Sequence, residues 1–209
     1  MPSVDAVLFD FGGVFMDSPF GAVRTFGTSR GIDPERVIEI IFGAYDSDTD
    51  HPWHRLERGE MSLVDARQAI MEIGAPEHRI DLFETFGALR NAGVRHDVIA
   101  LAREARALGV KTAIVTNNVK EFGDAWRGML PVDELFDVVI DSAHVGVRKP
   151  DPRIFRLALE RLGGLAPERA VFLDDFHGNV AAAERLGMRG ILVEDDHRPA
   201  MQQLRALLA

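Results

Sequence analysis

The sequence contains no cysteine among its 209 residues. This absence excludes disulfide bonds, thiolate nucleophiles and cysteine-based zinc sites. The first residues lack the basic stretch and the long apolar segment of a secretory signal, so we predict a cytoplasmic protein, and a reducing compartment agrees with the lack of cysteine. Long apolar runs are also missing. None approaches the roughly 20 residues that a membrane-spanning helix needs, so we predict no membrane partner.

The sequence contains fewer basic than acidic residues. Lys and Arg total 24 against 33 Asp and Glu, which gives a formal net charge of −9 at pH 7. An acidic balance of this size disfavours nucleic acid as a partner. Local cations would therefore have to attract any anionic substrate. Hydrophobic residues make up 46% of the chain, an ordinary globular balance. The length suffices for one large domain or for a core with a small appendage. We predict a monomer or a homodimer.

Three apolar runs end in polar residues. They are 7–9 followed by Asp10, 113–115 followed by Thr116 and Asn117, and 171–173 followed by Asp174 and Asp175. Ligands of open α/β sheets bind at the edge formed by the carboxyl ends of the strands. The three junctions therefore predict one site built from distant parts of the chain.

Sequence patterns divide the chain into a core and an insertion. Residues 16–94 show helical periodicity, with helix starts at Asp33 and Ser62 and a further helix from Pro76 to Phe86. From Arg95 onward, short strands alternate with helices, which predicts a parallel sheet covered on both faces. The predicted strands are 4–10, 111–115, 136–140, 170–173 and 190–193. We predict an α/β core formed by 1–15 and 95–209, with a helical insertion at 16–94.

Four motifs resemble those of the haloacid dehalogenase superfamily, in the family's order and at its spacing. They are Asp10-Phe11-Gly12-Gly13-Val14, Thr116-Asn117-Asn118, Arg148-Lys149-Pro150-Asp151-Pro152, and Asp174-Asp175 followed by Asn179. The segment 56–62, Leu-Glu-Arg-Gly-Glu-Met-Ser, resembles the cap of the subgroup that includes the phosphatase domain of soluble epoxide hydrolase. The resemblance covers 4–15 and 95–193. It implies a Rossmann-like core with a small helical cap.

The resemblance also implies a Mg²⁺-dependent phosphatase that acts on a small phosphorylated substrate. Asp10 would be the nucleophile and would form an aspartyl phosphate, a covalent role that carboxylates can take. A hard dication with oxygen ligands suits this set of acids. The implied Mg²⁺ ligands are Asp10, the backbone carbonyl of Gly12, Asp175 and, less directly, Asp174.

Further residues would hold the phosphoryl group. The Thr116 hydroxyl and the backbone N–H of Asn117 would bind its oxygens. Lys149 would supply a fixed positive charge that stabilises the transition state. Asn179 would support either Lys149 or the acidic loop. With Asp10, the implied catalytic residues are therefore Thr116 and Lys149.

One position departs from the family pattern. Most family phosphatases have a second aspartate two residues after the nucleophile, which protonates the leaving oxygen and activates the hydrolytic water, whereas this chain has Gly12. General acid–base catalysis contributes roughly 10²–10⁴-fold. We therefore expect a slow phosphatase or a replacement group. The candidate replacements are a metal-bound water and the side chains of Asp17 and His177.

Two other functions stay open. A haloacid dehalogenase would use Asp10 to attack carbon, but family dehalogenases usually lack the acidic magnesium loop that Asp174 and Asp175 represent here. A binding module would hold metal and a phosphorylated ligand with negligible turnover, and Gly12 is its best support. Release of halide without metal would identify a dehalogenase. A ligand-induced rise in melting temperature without phosphate release would identify a binding module.

The predicted cap contains a group of histidines and aromatic residues. His51 and His54 flank Trp53, but no third ligand accompanies them, so we predict a structural or solvent-facing role rather than zinc binding. If the cap closes over the site, its side chains would shape the substrate pocket. The candidate specificity residues are Tyr45, Trp53, Arg55 and Arg58.

Overall fold

The centre of the molecule is a parallel sheet. The computed structural model describes residues 2–75, 77–87, 93–123 and 125–209. The strands are β1 (Ala6–Phe9), β2 (Lys111–Thr116), β3 (Val138–Asp141), β4 (Ala170–Asp174) and β5 (Arg189–Leu192). They lie in the order β3-β2-β1-β4-β5, and every neighbouring pair is parallel. The predicted α/β class is confirmed.

Helices cover the sheet and form the insertion. In chain order they are α1 (Pro19–Arg30), α2 (Pro34–Phe42), α3 (Pro52–Glu57), α4 (Leu63–Gly74), α5 (Leu82–Thr85), α6 (His96–Ala107), α7 (Val132–Leu135), α8 (Ser142–Val145), α9 (Pro152–Arg161), α10 (His177–Arg185) and α11 (Arg198–Leu208). Within the part of the chain that the structure describes, none combines the length and apolar character that crossing a lipid bilayer requires.

The central strand β1 is buried on both faces. Its side chains alternate, as the strand geometry dictates, so that Val7 and Phe9 enter one hydrophobic cluster while Ala6 and Leu8 enter the other. Helices α6 and α11 complete the first cluster, and α9 and α10 complete the second. The apolar run before Asp10 is therefore a consequence of burial from both sides.

The strand order reverses next to β1. The chain runs from β1 to β2 and β3 on one side, and then returns to place β4 on the other side of β1. Phe9 pairs with Leu173 in the register of β1 and β4, so Asp10 and Asp174 leave the sheet side by side. Such a switch point opens a crevice at the carboxyl ends of the strands, where ligands of this class of sheet bind.

The insertion has its own apolar core. Residues from α1 to α5 pack together, among them Val23, Ile40, Leu56 and Ile70, and Val119 of the loop after β2 joins them. The helix starts predicted at Asp33 and Ser62 are confirmed. Asp33 accepts a hydrogen bond from the backbone N–H of Glu35, and Ser62 accepts one from that of Asp65. We call the α1–α5 segment the cap.

Two predictions of local structure were wrong. The helix predicted from Pro76 to Phe86 is the short α5, which begins only after Asp81 because that side chain accepts from the N–H of Phe83. Pro76 lies outside the described residues. The strand predicted at 136–140 is β3, two residues later, because the short helix α7 precedes it and Phe136 packs into the core against Phe9 and Phe15.

Candidate active site

Three carboxylates meet where β1 and β4 end. Asp10 follows β1, Asp174 closes β4 and Asp175 comes next. One oxygen of each can be chosen so that all three lie within 4.8 Å of one another. The backbone N–H of Asp10 donates to the Leu173 carbonyl at 2.8 Å, so the register of the two strands holds the acids together. The predicted convergence of these acids is therefore present in the fold.

A single buried ammonium group lies among these acids. Lys149 Nζ is 2.8 Å from Asp10 Oδ1 and 2.6 Å from Asp174 Oδ2. Asn179 Nδ2 donates to both oxygens of Asp174 at 3.1 Å. Of the two roles predicted for Asn179, its contacts match support of the acidic loop. Lys149 therefore contacts the acids at the carboxyl ends of two neighbouring strands, β1 and β4.

Negative charge exceeds positive charge in this cluster. Burial, with the Asp174 carboxylate adding to it and Lys149 only partly opposing it, raises the pKa of Asp10 to about 7. Burial and the two neighbouring carboxylates also raise the pKa of Asp175 well above its ordinary value. Burial alone would lower the pKa of Lys149, but Asp10 and Asp174 raise it, so the amine stays charged. A divalent cation with oxygen ligands fits such a donor set.

The start of the cap touches the acidic loop. Ser18, the N-cap of α1, donates a hydrogen bond from its Oγ to Asp175 Oδ2. Gly13 has a φ of 73°, and a Cβ at this position would overlap the Asp175 carboxylate. Glycine is therefore required here both by the left-handed backbone and by the close approach of Asp175.

The position that lacks an acid is covered by the cap. A Cβ added to Gly12 would lie 3.2 Å from Pro19 Cδ and 3.3 Å from Pro19 Cγ. Pro19 is the first residue of α1, so the beginning of the cap occupies the space next to Gly12. The sequence contained no signal for this contact, since it depends on how α1 leaves the core.

The Thr116–Asn117 turn is tied to Lys149. Asn117 Oδ1 accepts from the backbone N–H of Lys149 at 2.8 Å, and its Nδ2 donates to the Lys149 carbonyl at 3.1 Å. Only the backbone N–H of Asn117 had been predicted to act, so this use of its side chain was missed. Thr116 is buried at the end of β2, where its hydroxyl makes a long 3.4 Å hydrogen bond to the Asn117 carbonyl.

A cleft of about 240 Å³ opens between cap and core and reaches Gly13 and Asp175. His177 lines it, whereas Asp17 is exposed and lies 3.8 Å from Arg95. Of the two side chains considered as replacements for the missing acid, only His177 therefore faces the cleft. Sequence reasoning missed several other lining residues because the cleft depends on where the cap lies on the core. They include Phe20, Arg24, Glu35 and Ile38 of the cap and Phe176 of the core.

None of the four candidate specificity residues lines this cleft. Tyr45 and Trp53 donate hydrogen bonds to Glu57 inside the cap. Arg58 pairs with Asp48 and Glu60, and Arg55 lies 3.9 Å from Glu60. The contacts of these side chains lie within the cap, and a contact of any of them with substrate stays a prediction.

The histidines of the cap have structural contacts. His51 is the N-cap of α3 and accepts from the N–H of Trp53 at 3.2 Å. His54 is buried, and its Nδ1 accepts from the N–H of Thr49 at 3.0 Å. Burial, with the charge of Arg148 adding to it, lowers the pKa of His54 to about 3, so this ring is neutral at physiological pH. The contacts agree with the predicted structural role.

Comparison with known proteins gives consistent matches. A family model described as haloacid dehalogenase-like hydrolase matches residues 4–187. The chain is 30% identical over 206 residues to sesquiterpene phosphatase astK of Aspergillus oryzae, covering 97% of this chain and 96% of that protein. It is 29% identical over 204 residues to bifunctional epoxide hydrolase 2 of Mus musculus, covering 90% of this chain and 36% of that protein. The chain spans between 19% and 36% of the length of the first rodent relatives it matches.

A solved structure shares the architecture. It is a HAD family enzyme from Bacteroides thetaiotaomicron in complex with magnesium and inorganic phosphate, and it matches with a TM-score of 0.61. The two chains are 19% identical, and the match covers 92% of this chain and 96% of the other. At this identity the likeness concerns the fold, and the predicted Rossmann-like architecture is confirmed.

Proposed function

The chain belongs to the haloacid dehalogenase-like hydrolases, as its motifs predicted, and we propose that it is a Mg²⁺-dependent phosphatase acting on small phosphate monoesters. Phosphatases are among its relatives. The observation that carries the proposal is the convergence of one ammonium group and three carboxylates at the switch point of the sheet. A phosphate ester with its metal would fill such a site with complementary charge.

The metal would be held by oxygen atoms of the acidic cluster. Asp10, Asp175 and the Gly12 carbonyl are the proposed ligands, with Asp174 as a weaker or indirect one. The fit rests on the donors themselves, three crowded carboxylates of which two have raised pKa values. When bound, Mg²⁺ would offset this negative charge, keep Asp10 ionised and neutralise phosphoryl oxygens.

The reaction would proceed in two displacements on phosphorus. An oxygen of Asp10 attacks in line, the bond from phosphorus to the leaving oxygen breaks, and the leaving oxygen takes up a proton. Water then attacks the aspartyl phosphate and passes a proton back to the group that protonated the leaving oxygen, the bond between phosphorus and Asp10 breaks, and inorganic phosphate leaves with the carboxylate restored. Lys149 stabilises the charge on the phosphoryl oxygens in both steps, and Thr116 with the Asn117 N–H positions the group.

Gly12 cannot supply the proton for the leaving oxygen. His177 is the proposed donor, since it lines the same cleft as Asp175 and Gly13. A site with little or no general-acid assistance should hydrolyse esters whose leaving group departs as a stable anion much faster than other esters. We therefore propose that hydrolysis is slow for alkyl phosphates and faster for aryl phosphates.

The test compares p-nitrophenyl phosphate with glycerol phosphate in the presence of Mg²⁺. We expect measurable phosphate release from the aryl ester, slower release from the alkyl ester, and loss of both in Asp10→Asn. Asp5→Asn is the matched control, because Asp5 precedes the opposite end of β1 and pairs with Arg169 on the surface. An Asp10→Asn protein as active as the wild type would refute the assignment.

A second candidate is a module that binds metal and phosphate without turnover. The packing of Pro19 against Gly12 favours it, because the cap leaves little room for an acid at this position. In that case Mg²⁺ with phosphate would raise the melting temperature, while neither ester would be hydrolysed. The cytoplasmic location, the small-molecule substrate and the monomeric or homodimeric state stay predictions.

A further inference from the structure

We propose that Glu57, in the cap, is a positioning residue for the phosphate site and acts on Lys149 through Arg148 and Asn117. The inference rests on the proposed function, in which Lys149 and the Thr116–Asn117 turn hold the phosphoryl group. It assigns a role to the 56–62 segment, whose resemblance to other caps had suggested no chemistry. The segment would connect the cap to the charge that stabilises the reaction.

Glu57 is buried at the end of α3 and accepts several hydrogen bonds. Arg148 Nε donates to its Oε2 at 2.7 Å. Tyr45 Oη and Trp53 Nε1 each donate to its Oε1 at 2.8 Å. Asn117 Nδ2 lies 3.5 Å from Oε2. Two of these donors, Arg148 and Asn117, belong to the core, so a cap carboxylate is shared by both parts of the molecule.

Arg148 is buried and precedes Lys149 in the chain. Its guanidinium lies 4.5 Å above the ring of Tyr45, and Nη1 donates to the Ser47 carbonyl at 3.0 Å. Burial alone would lower its pKa, but the Glu57 carboxylate holds the pKa above its ordinary value. A buried charge is stable only when paired in good geometry. Arg148, and with it the backbone at Lys149, is therefore held against the cap.

Asn117 closes a ring of contacts around the Lys149 backbone. Its side chain brackets that backbone with hydrogen bonds to the N–H and the carbonyl, and its Nδ2 also lies 3.1 Å from Tyr45 Oη. Burial and Glu57 raise the pKa of Tyr45 well above its ordinary value, so the phenol keeps its proton and can donate to Glu57. The ring runs from Glu57 through Arg148, Lys149, Asn117 and Tyr45 back to Glu57.

The position of the Lys149 ammonium depends on this ring. Its Nζ lies within 2.8 Å of both Asp10 and Asp174, so a small shift of the backbone would break one of the two ion pairs. A misplacement of about 1 Å in an active site can reduce the rate roughly 10²-fold. Loosening the ring should therefore reduce phosphate affinity and kcat even though Glu57 itself lies outside the cluster of Lys149 and the acids.

The test compares Glu57→Gln and Tyr45→Phe with the wild type. Tyr45→Phe removes one hydroxyl and keeps the aromatic ring under the Arg148 guanidinium. Arg67→Gln is the matched control, since it breaks the Arg67–Asp81 ion pair inside the cap and leaves the ring intact. The readouts are kcat and KM for p-nitrophenyl phosphate with Mg²⁺, the affinity for inorganic phosphate by calorimetry, and the melting temperature.

We expect Glu57→Gln to lower kcat about 10- to 100-fold and to weaken phosphate binding. Tyr45→Phe should have a smaller effect of the same sign, and Arg67→Gln should change only the melting temperature. Normal kcat and phosphate affinity in folded Glu57→Gln would overturn the inference. If that variant does not fold, normal values in Tyr45→Phe would do so. A wild type that binds phosphate without turnover would refute the proposed function, and phosphate affinity alone would then decide the inference.

Discussion

Arg148 and Lys149 are neighbours in the chain, yet their side chains enter clusters of opposite character. Lys149 lies among Asp10, Asp174 and Asp175, so three carboxylates share one ammonium group. Arg148 pairs most closely with Glu57, whose other partners are neutral donors, and it lies 3.7 Å from Asp48, which Arg58 also pairs. Both clusters are buried and both lie at the junction between cap and core. They differ in whether their charges balance.

The imbalance separates a binding site from a structural contact. In the Lys149 cluster, burial and then the Asp174 carboxylate raise the pKa of Asp10 to about 7 against the opposing effect of Lys149, and a bound cation would favour the ionised form again. In the Arg148 cluster the pairing with Glu57 supports the charged form of the arginine. The first cluster needs a cation to balance its charge, whereas the second holds its charges in pairs and can fix neighbouring residues in place. Variants that change one charge in each cluster test this contrast.

The largest expected effect is on turnover in the Lys149 cluster. Asp10→Asn removes the nucleophile, and the loss of an enzyme's nucleophile reduces kcat by roughly 10⁴-fold or more. The measurement is Mg²⁺-dependent phosphate release from p-nitrophenyl phosphate under single-turnover conditions. Phosphate affinity should persist in this variant, since Lys149 and the Thr116 turn are unchanged. Loss of binding together with turnover would indicate a collapsed site.

The next effect concerns stability and has opposite signs in the two clusters. Glu57→Gln leaves Arg148 buried without its closest carboxylate and should lower the free energy of unfolding by about 3–5 kcal/mol. Asp10→Asn removes one of three crowded carboxylates and should leave the metal-free protein as stable as the wild type, or more stable, above pH 7. Urea unfolding of both variants without Mg²⁺ checks this. A similar loss in both would contradict the contrast in charge balance.

The pH dependence of the metal-free protein follows from the same cluster. The folded pKa of Asp10, about 7, lies above its ordinary value of 3.8, so the folded state binds the extra proton between these pH values. Its contribution to stability is present below about pH 4 and is lost as the pH rises towards 7. The melting temperature of Asp10→Asn should lack this part of the decline. An identical dependence of melting temperature on pH in the variant would show that Asp10 does not cause this decline.

A smaller effect is expected at Gly12. Gly12→Asp would restore an acid, and the backbone tolerates it because Gly12 is not among the glycines with positive φ. Pro19 must move to admit the side chain, so we expect little gain from the single variant. Gly12→Asp with Pro19→Ala should raise hydrolysis of glycerol phosphate about tenfold, and of the aryl ester less. Equal gains for both esters would show that the introduced carboxylate does not protonate the leaving group.

The smallest effect concerns His54, which is buried near Arg148. Its folded pKa of about 3 lies below its ordinary value of 6.5, so the unfolded state binds more protons between these pH values. Stability from this group is present above pH 6.5 and is lost as the pH falls. The loss should be about 1 kcal/mol between pH 7 and pH 5.5. His54→Asn should reduce the slope of unfolding free energy against pH by this amount, and an unchanged slope would show that His54 does not titrate.

Local patterns explain which parts of the fold could be predicted. Asp10 and Asp174 follow apolar strands directly, so parallel pairing alone brings them together. Ser62 caps α4 through an interaction three residues away. The Glu57–Arg148 pair joins residues 91 apart, and nothing near either residue identifies the other. The same holds for Pro19 against Gly12, because that contact depends on the direction in which α1 leaves the core.

The most direct test of the charge imbalance around Lys149 is a calorimetric titration of Mg²⁺ into the metal-free wild type and into Asp175→Asn. If excess carboxylate charge makes this edge a metal site, the wild type will bind one Mg²⁺ per chain. The variant will then bind it at least about tenfold more weakly, a change of about 1.4 kcal/mol. Absence of Mg²⁺ binding to the wild type, or equal affinity in the variant, would contradict the account.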